Sequence, residues 1–371
     1  MNSILSECIM EIRKGDPRYD EHSYGYISGK NIIKNSTVHS RKRFVFNIDL
    51  EDFFGSINFG RVRGYFINDH YFRLEPDVAT IVAQIACYKN SLPQGSPCSP
   101  IISNMIGRIL DIRLRDLSKK NNIEYSRYVD DITFSSNEKV FPNEIAFQIS
   151  ISDWGVGERL NSEIERSGFK VNEAKVRMSK RQRRQVVTGL TVNDKPNVRR
   201  DFLKYTRAMC DNYFNTGRYF INFEKNKIEE FTAGNVLRGR LSHIYYVQQR
   251  KDRKNEHNQI YIDKGEFVPP KEMVGLYRNF LLFSYFVKME KPIIVTEGKT
   301  DILYFKKAIR ARSEKYRELG VTNSNGIIEY AVDFFNPSMR NQDLLELGVG
   351  VIGQKKLIQE FPAIKRNLIL I

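Results

Sequence analysis

The chain has 371 residues, of which 41% are hydrophobic and 28% charged, and its 59 Lys and Arg against 44 Asp and Glu leave a net charge of +15. This length allows two or three domains with a sizeable core, and the composition excludes an intrinsically disordered chain. The positive excess predicts a polyanionic partner, most simply nucleic acid, although charge alone does not separate DNA, RNA and an acidic membrane.

Cysteine spacing and the distribution of apolar residues exclude several other classes of protein. The four cysteines form no CxxC pair, which argues against a zinc site and against a disulfide framework. The N-terminal stretch carries charges where a signal peptide needs an apolar run, and no apolar run approaches the roughly 20 residues of a membrane span. We therefore expect a cytoplasmic protein without a membrane partner.

The predicted elements are short strands and longer helices. In chain order they are a strand at 44–48, a helix at 78–87, a helix at 100–119, two strands at 125–129 and 132–135, a mostly helical stretch at 201–290, a strand at 293–295 and a helix at 302–312. Ser99 is the predicted N-cap of the second helix, because a hydroxyl there can accept from the first backbone amides. The change of character at Pro292 predicts a domain boundary near 286–291.

Three aspartates lie at positions that would bring them into one metal centre. Asp49 follows the first apolar strand, and Asp130 and Asp131 occupy the tip of the predicted hairpin. Nucleotidyl transfer uses two divalent cations about 3.5–4 Å apart, and hard cations of the Mg²⁺ type prefer carboxylate oxygens. Taken singly, a strand-end aspartate is commonly a turn or cap, and an Asp-Asp pair in a hairpin is commonly a polar turn. Their joint occurrence with longer motifs favours the metal centre.

Five ordered segments resemble the palm and thumb motifs of reverse transcriptases, and more narrowly those of bacterial retron reverse transcriptases. They are FNIDLEDFFGSI (46–57), LPQGSPCSPIISN (92–104), YSRYVDDITFSS (125–136), GFKVNEAKVR (168–177) and VVTGLTVN (186–193). The segment NSTVH (35–39) resembles a further retron motif, with Ser36 where those enzymes usually have Ala, and Val129 also stands where Ala is usual.

The resemblance implies roles for individual residues. Asp49, Asp130 and Asp131 would bind two Mg²⁺ ions, with Mn²⁺ as the alternative, and Lys175 would protonate the leaving pyrophosphate, unless it is an ordinary surface lysine. The implied nucleotide contacts are Phe54 under the sugar of the incoming dNTP, unless it is a core residue, and Gln94 and Gly95 beside the nucleotide and template.

The resemblance also implies an RNA-binding region. The basic stretch 175–207 is either a nucleic-acid track or a generic charged surface. The residues implied in RNA binding are Asn35, His39, Val187, Thr188, Gly189, Leu190, Arg199, Arg200 and Lys204.

The C-terminal segment resembles the first motif of Toprim domains. In PIIVTEGKTD (292–301) a strand is followed by a tight turn and a helix, and the resemblance implies that Glu297 and Asp301 bind Mg²⁺. The GKT triplet lacks the earlier glycine of a phosphate-binding loop, and the glycines at 348–353 lack the acidic residue of a dinucleotide site. No Asp-x-Asp follows the apolar strand at 367–371, so we expect an incomplete Toprim domain without nuclease activity and an exposed sheet edge.

The predicted fold class is α+β, with a right-hand polymerase palm built on a ferredoxin-like antiparallel sheet, partial fingers, a helical thumb and a partial α/β Toprim domain. The expected domains are 1–185 for fingers and palm, 186–288 for the thumb and RNA recognition, and 289–371 for the partial Toprim domain.

The implied function is that of a retron RNA-directed DNA polymerase in bacterial antiphage defence. It would use its own structured noncoding RNA (msr-msd) as primer and template, and dNTPs as substrates, to make branched msDNA. Two alternatives stay open, an inactive RNA-binding remnant of a reverse transcriptase–Toprim fusion and a Toprim-type nuclease. Whether the chain forms a homo-oligomer is also left open.

Overall fold

The computed structural model describes residues 1–12, 21–151, 153–223, 227–252, 273–296, 299–325, 327–335, 344–345 and 368–370. The chain divides into two compact units, Met1–Arg199 and Arg200–Ile371. No helix among these described residues is long and apolar enough to cross a membrane.

The first unit combines helices with short strands. Its helices are α1 (Asn2–Ile12), α2 (Ile32–Val38), α3 (Phe59–Asn68), α4 (Pro76–Ala86), α5 (Ser99–Lys120) and α6 (Glu158–Arg166). Its strands are β1 (Phe44–Asp49), β2 (Glu124–Tyr128), β3 (Asp131–Ser136), β4 (Ala146–Gln148), β5 (Trp154–Val156), β6 (Arg177–Lys180), β7 (Val186–Val187) and β8 (Leu190–Thr191).

A four-stranded antiparallel sheet organises this unit. Its order is β2-β3-β1-β6, with α5 preceding β2 and α6 preceding β6 in the chain. These elements therefore follow one another as β-α-β-β-α-β, which is the ferredoxin-like succession. Strand β1 is apolar at Phe44, Val45, Phe46 and Ile48, and both of its faces are covered. Phe46 and Ile48 lie in the main core, whereas Val45 packs on the other face with Val187 and Val192.

Helix α5 packs against this core, and its first residue differs from the prediction. Ile102, Met105 and Leu110 are fully buried at helical spacing. The helix begins at Ser99 with Cys98 at the N-cap position, and the Ser99 hydroxyl donates to the carbonyl oxygen of Pro93 at 2.7 Å. The prediction of Ser99 as N-cap is wrong, because the preceding loop takes the hydroxyl that would have capped the helix.

The second unit contains further helices and strands. Its helices are α7 (Arg200–Thr216), α8 (Asn235–Asp252), α9 (Met273–Leu282), continued by a π-helical turn (Phe283–Val287), and α10 (Lys299–Ala311). Its strands are β9 (Tyr219–Phe223), β10 (Lys227–Phe231), β11 (Ile293–Val295), β12 (Gly320–Thr322), β13 (Ile328–Tyr330), β14 (Asp333–Phe335) and β15 (Leu368–Leu370).

The stretch 201–290 is less helical than the sequence predicts, because β9 and β10 form an antiparallel hairpin within it. Tyr219 stacks on Phe231 across the hairpin with ring centroids 5.7 Å apart. The hydroxyl of Tyr205 on α7 donates to the carbonyl oxygen of Phe220 and accepts from the amide of Asn222, each at 2.9 Å. Cross-strand ring stacking and the contacts with α7 stabilise this hairpin. The sequence pattern does not predict it, because charged residues interrupt the apolar pattern of β10.

The last part of this unit contains a parallel sheet of order β14-β11-β15. The predicted strand at 293–295 is confirmed as β11, and the following helix begins at Lys299, three residues before the predicted start. The predicted strand at 367–371 is confirmed at its described residues as β15, an edge of this sheet. Glu297 and the glycine-rich segment 348–353 lie outside the described residues. The predicted domain boundaries stay predictions.

Candidate metal centre and the motifs around it

Two carboxylate-bearing positions meet at one end of the four-stranded sheet. Asp49 ends β1 and Asp131 begins β3, and the two are direct partners in the antiparallel register. The amide of Leu50 donates to the carbonyl oxygen of Asp130 at 3.1 Å, which ties the hairpin tip to the end of β1. The structure therefore brings the three predicted aspartates together from positions about 80 residues apart in the chain.

The hairpin tip is a two-residue turn with a strained first residue. Tyr128 pairs with Asp131, which leaves Val129 and Asp130 as the connection. Val129 has a φ of +62°, a conformation that β-branched side chains disfavour and that this position of a hairpin turn usually gives to Gly. The turn therefore depends on contacts from its surroundings, because its own sequence does not favour the conformation.

Negative charges accumulate at this turn. Burial of the carboxyl, together with the neighbouring charges of Asp130 and Asp49, raises the pKa of Asp131 to about 6, although the residue as a whole is exposed. Burial and the charge of Asp49 also raise the pKa of Asp130. Burial and mutual repulsion both disfavour the charged form of these carboxyls, and a bound cation would stabilise it.

Lys175 supplies the nearest positive charge. It ends a short 3₁₀ turn (Glu173–Lys175), and its Nζ donates to Asp49 Oδ1 at 2.8 Å. The Asp49 side chain is 12% exposed, whereas that of Lys175 is 57% exposed. The hydrogen bond and the charge of Asp49 raise the pKa of Lys175, which keeps its ammonium protonated beside the carboxylates. The structure therefore places the Lys175 ammonium beside Asp49, and its role as a proton donor to pyrophosphate stays a prediction.

The donor set fits hard divalent cations. Three carboxylates offer the oxygen ligands that Mg²⁺ and Mn²⁺ accept, and a cation would favour the charged form of Asp130 and Asp131, whose pKa values burial and neighbouring charges raise. Across the described ranges, no group of three or more His, Cys, Asp and Glu side chains is already arranged to hold an ion. The Lys175 ammonium occupies Asp49 Oδ1, so a cation that bound this oxygen would compete with Lys175, and the carboxylates would have to move to coordinate it.

The predicted nucleotide contacts lie on surfaces that a ligand can reach. Phe54 is half-buried, with its ring edge-on to Phe53 at 5.5 Å, whereas Phe53 is buried and stacks on Phe169 at 5.4 Å. Gln94 and Gly95 are exposed, and Gly95 has a φ of +90°, which a side chain would disfavour. Of the two adjacent phenylalanines, Phe53 is the core residue and Phe54 is available to a ligand.

Asn35 and His39 lie inside the protein. They are 1% and 0% exposed, and His39 bonds through Nδ1 to Ser135 Oγ and through Nε2 to Ser126 Oγ, each at 2.7 Å. Ser126 donates its hydroxyl proton to Asn35 Oδ1 at 2.6 Å, so it accepts from His39 Nε2–H and sets the tautomer. Direct RNA contact by Asn35 and His39 is corrected to a role in holding α2 against β2 and β3.

The exposed part of the VTGL motif is a single turn. Val187 and Leu190 are buried, so direct RNA contact by these two is also corrected to packing. Thr188 and Gly189 connect β7 to β8 with φ values of +45° and +81°. Ser36 binds this turn, since its Oγ donates to the Val187 carbonyl oxygen at 2.9 Å and lies 3.1 Å from Thr188 Oγ1. The NSTVH and VTGL motifs therefore form one interior contact.

The remaining predicted residues are placed as follows. Arg199 is exposed at the end of the first unit, and Arg200 and Lys204 are exposed on α7 of the second unit. Asp301 is half-buried in the first turn of α10, and its predicted partner Glu297 lies outside the described residues. The sequence interpretation missed Ser126, Ser135 and the buried Arg127, because polar residues within strands carry no signal of burial.

The first prediction concerns His39, whose burial lowers its pKa to about 3. A neutral buried histidine stabilises the folded chain above the ordinary His pKa, and that stability is lost as pH falls from about 6.5 towards 3, by about 1.4 kcal/mol per pH unit. Denaturant unfolding at pH 7, 6 and 5 should show this loss in the parent and not in His39→Gln. His70→Gln, at an exposed histidine, is the control. Equal slopes for parent and His39→Gln would contradict the assignment.

The second prediction concerns competition between Lys175 and a metal ion. Lys175→Met should bind Mn²⁺ more tightly than the parent, because the ammonium no longer occupies Asp49 Oδ1. Electron paramagnetic resonance titration of free Mn²⁺ measures this without nucleic acid. Lys180→Met, which removes an ammonium 5.7 Å from the ring centre of Trp154, is the control. Unchanged or weaker Mn²⁺ binding by Lys175→Met would show that the two cations do not compete.

Comparison with known proteins agrees with the geometry. The chain is 33% identical over 235 residues to the retron Ec86 reverse transcriptase of Escherichia coli, covering 62% of this chain and 64% of that protein. It is 30% identical over 217 residues to the retron Mx162 reverse transcriptase of Myxococcus xanthus, covering 51% and 43%. The chain thus spans between 43% and 64% of the length of these two relatives.

A structural neighbour and a family match complete the comparison. A telomerase structure from Candida albicans aligns with 78% of this chain and 55% of its own, at a TM-score of 0.40 and 10% identity, a level that supports no inference. Residues 1–192, more than half of the chain, match the reverse transcriptase (RNA-dependent DNA polymerase) family. That match includes the three aspartates, Lys175 and the VTGL turn. The chain therefore belongs to the reverse transcriptase (RNA-dependent DNA polymerase) family.

Proposed function

We propose that this chain is an RNA-directed DNA polymerase whose metal ligands are Asp49, Asp130 and Asp131. The observation that carries the proposal is the convergence of these carboxylates with Lys175 at one sheet end, inside the region that matches the family. Two Mg²⁺ ions, or Mn²⁺ in their place, would stabilise the charge that develops on the attacking and leaving oxygens.

The other residues of the site have separable tasks. Lys175 holds a proton at Nζ beside Asp49, and we assign to it the protonation of the leaving pyrophosphate. Phe54 offers a half-buried ring next to the carboxylates' strand, and we assign to it the exclusion of a ribose 2′-OH. Gln94 and Gly95 are exposed, and the open backbone at Gly95 allows close approach of nucleotide and template.

We further propose that the polymerase is of the retron type. Its relatives are named as retron reverse transcriptases. From this resemblance we propose that a structured noncoding RNA of the msr-msd kind serves as primer and template, and that a branched msDNA is the product. The net charge of +15 and the exposed Arg199, Arg200 and Lys204 suit phosphate contacts. Because these relatives are bacterial, we propose a bacterial cytoplasmic protein, and from the retron resemblance we propose a part in antiphage defence.

A Toprim-like role of residues 289–371 is a weaker part of the proposal. The parallel strands β14, β11 and β15 and the helix α10 after β11 are compatible with an α/β domain. Asp301 lies in the first turn of α10, and the other predicted Mg²⁺ ligand, Glu297, lies outside the described residues. The expected lack of nuclease activity in this part therefore stays a prediction.

The third prediction tests the polymerase and its main alternative, an inactive RNA-binding remnant. Asp130→Asn with Asp131→Asn should abolish DNA synthesis on the cognate RNA while RNA binding stays near the parent value, because amides bind Mg²⁺ poorly. Primer extension and filter binding on the full chain measure the two. Asp116→Asn, at an exposed aspartate of α5, is the control. Residual synthesis within about tenfold of the parent would contradict the ligand assignment, and no synthesis by the parent would favour the remnant.

The fourth prediction concerns the choice of sugar. Phe54→Ala and Phe54→Val should raise incorporation of ribonucleotides relative to deoxyribonucleotides by about tenfold or more, because each ~1.4 kcal/mol of steric exclusion is a factor of ten. Single-nucleotide extension with paired dNTP and rNTP measures the ratio. Phe147→Ala, at an exposed ring on β4, is the control. An unchanged ratio in both Phe54 variants would place the gate elsewhere.

The fifth prediction separates RNA affinity from RNA choice. Replacing Arg199, Arg200 and Lys204 by Gln should weaken all RNA binding and lower the log–log salt slope by ~0.7–0.9 per lost phosphate contact. Thr188→Ala and Gly189→Ala should instead reduce the preference for cognate RNA, because they change the shape of an exposed turn. Fluorescence anisotropy with cognate and scrambled RNA measures both.

A matched triple replacement provides the control for that experiment. Lys89, Lys119 and Lys139 are exposed lysines elsewhere on the first unit, and their change to Gln removes the same charge. Equal losses in the two triple variants would mean that the effect is general electrostatics. Equal losses on cognate and scrambled RNA in the Thr188 and Gly189 variants would count against a role of the turn in RNA choice.

A further inference from the structure

Arg127 is a fully buried charged residue on β2. It directly precedes Tyr128, the residue that flanks the turn. The side chain of Arg127 is 0% exposed. Its Nε donates to Asp111 Oδ1 at 2.8 Å and its Nη2 to Asp111 Oδ2 at 2.7 Å, a bidentate pair between β2 and α5. Its Nη1 donates to the carbonyl oxygen of Val129 at 2.9 Å. The same guanidinium therefore binds the helix and the strained turn.

The surroundings of the pair leave it little freedom. Tyr125 donates its hydroxyl to Asp111 Oδ1 at 2.6 Å, which adds a third donor to that carboxylate. Helix α5 approaches closely at Gly107, where a Cβ atom would lie 2.9 Å from Arg127 Nη2. A satisfied buried network of this kind is rigid, because each group that moves leaves a partner unpaired in a medium of low dielectric.

Stability alone does not explain a buried ion pair. Well-packed apolar residues of similar volume commonly serve a core as well or better, since two charges lose their hydration on burial. What the guanidinium does here, and an apolar side chain cannot, is to bind the Val129 carbonyl oxygen. That oxygen belongs to the peptide that joins Val129 to Asp130. The amide of Leu50 binds the next carbonyl oxygen, that of Asp130, so both turn carbonyls are held.

The far side of the turn is closed as well. A Cβ atom at Gly25 would lie 2.6 Å from Val129 Cγ2, and Asn104 Nδ2 donates to the Gly25 carbonyl oxygen at 2.8 Å. Arg127 Nη1 also lies 3.4 Å from Asn104 Oδ1. The Val129 side chain thus lies against the backbone at Gly25, and the guanidinium holds the Val129 carbonyl oxygen, so the two contacts together keep φ at +62° despite its cost.

We propose that Arg127, clamped by Asp111, is a positioning residue for the metal centre. It holds the strained Val129 turn in the conformation that presents Asp130 and Asp131 to Asp49, and it thereby sets the affinity of the site for divalent cations. This inference rests on the proposed function, in that the cation site is the one assigned above. It adds a residue that touches neither substrate nor ion.

The test compares Arg127→Lys with a strain-relieving second change. Lysine keeps the charge near Asp111 but cannot bind Asp111 bidentately and Val129 at once. Mutation of a residue that orients metal ligands typically lowers metal affinity by roughly 10–100-fold. Arg127→Lys should raise the Mg²⁺ concentration for half-maximal DNA synthesis by about tenfold or more and weaken Mn²⁺ binding similarly, with RNA affinity within about twofold of the parent.

Val129→Gly then separates positioning from general stability. Glycine adopts a φ of +62° without side-chain strain, so Arg127→Lys with Val129→Gly should recover most of the lost metal affinity. If Arg127 only stabilised the fold, Val129→Gly would not restore metal affinity, because this change also removes a buried side chain. Arg113→Lys, which alters the half-buried pair of Arg113 and Glu163 on α5 and α6, is the control and should leave the Mg²⁺ requirement unchanged.

The outcomes are distinct. If Arg127→Lys does not fold by circular dichroism, Tyr125→Phe replaces it, because it removes one donor to Asp111 and should shift the Mg²⁺ requirement in the same direction. A Mg²⁺ requirement within twofold of the parent in the folded variant, or no recovery with Val129→Gly, overturns the proposal. If the parent makes no DNA, the proposed function fails, and Mn²⁺ binding by electron paramagnetic resonance still decides the positioning role.

Discussion

The approach of three aspartates at one sheet end is the constraint around which the first unit is organised, and burial together with mutual repulsion raises the pKa of Asp130 and Asp131. Asp49 and Asp131 are register partners, and Asp130 is their neighbour in a two-residue turn, so backbone pairing brings the like charges together. The ladder of β1, β2 and β3 must be stable enough to tolerate that repulsion. Lys175 offsets part of it through one hydrogen bond, and the remainder is available to attract cations.

Two buried polar networks hold the elements that surround these carboxylates. His39, with Asn35, Ser126 and Ser135, fastens α2 to the inside of the sheet. Arg127, with Asp111, fastens β2 to α5. Burial of such networks costs desolvation free energy. In return they fix the orientation of the elements they join, because a hydrogen bond is directional and an apolar contact is not. The second network ends at the turn of Val129 and Asp130, where we propose the metal ligands, and the first includes α2, which contacts the VTGL turn through Ser36.

The sequence predicted some elements of the fold and not others, according to whether their stabilising contacts are local. Strand β1, the hairpin β2–β3 and helix α5 were predictable, because each has a local signal in apolar periodicity or turn chemistry. The hairpin β9–β10 was not, because β10 carries charged residues and the hairpin is stabilised by ring stacking and by Tyr205 from another element. The assignment of Ser99 as a cap was wrong because a loop residue, Pro93, accepts its hydroxyl proton. Each error lies where a residue outside the predicted element supplies the partner.

The amino-acid sequence by itself determined the family motifs, the identity and order of the three aspartates, and the nearby basic stretch. Those properties depend on residue type and spacing, which a linear sequence contains in full. Only the tertiary structure decided that Asn35 and His39 are interior, that Ser36 joins two motifs, and that Arg127 binds the turn. The physical reason is that burial and hydrogen-bond partners are set by segments remote in sequence. The identity of a polar residue in a strand does not show whether its side chain faces water or a buried partner.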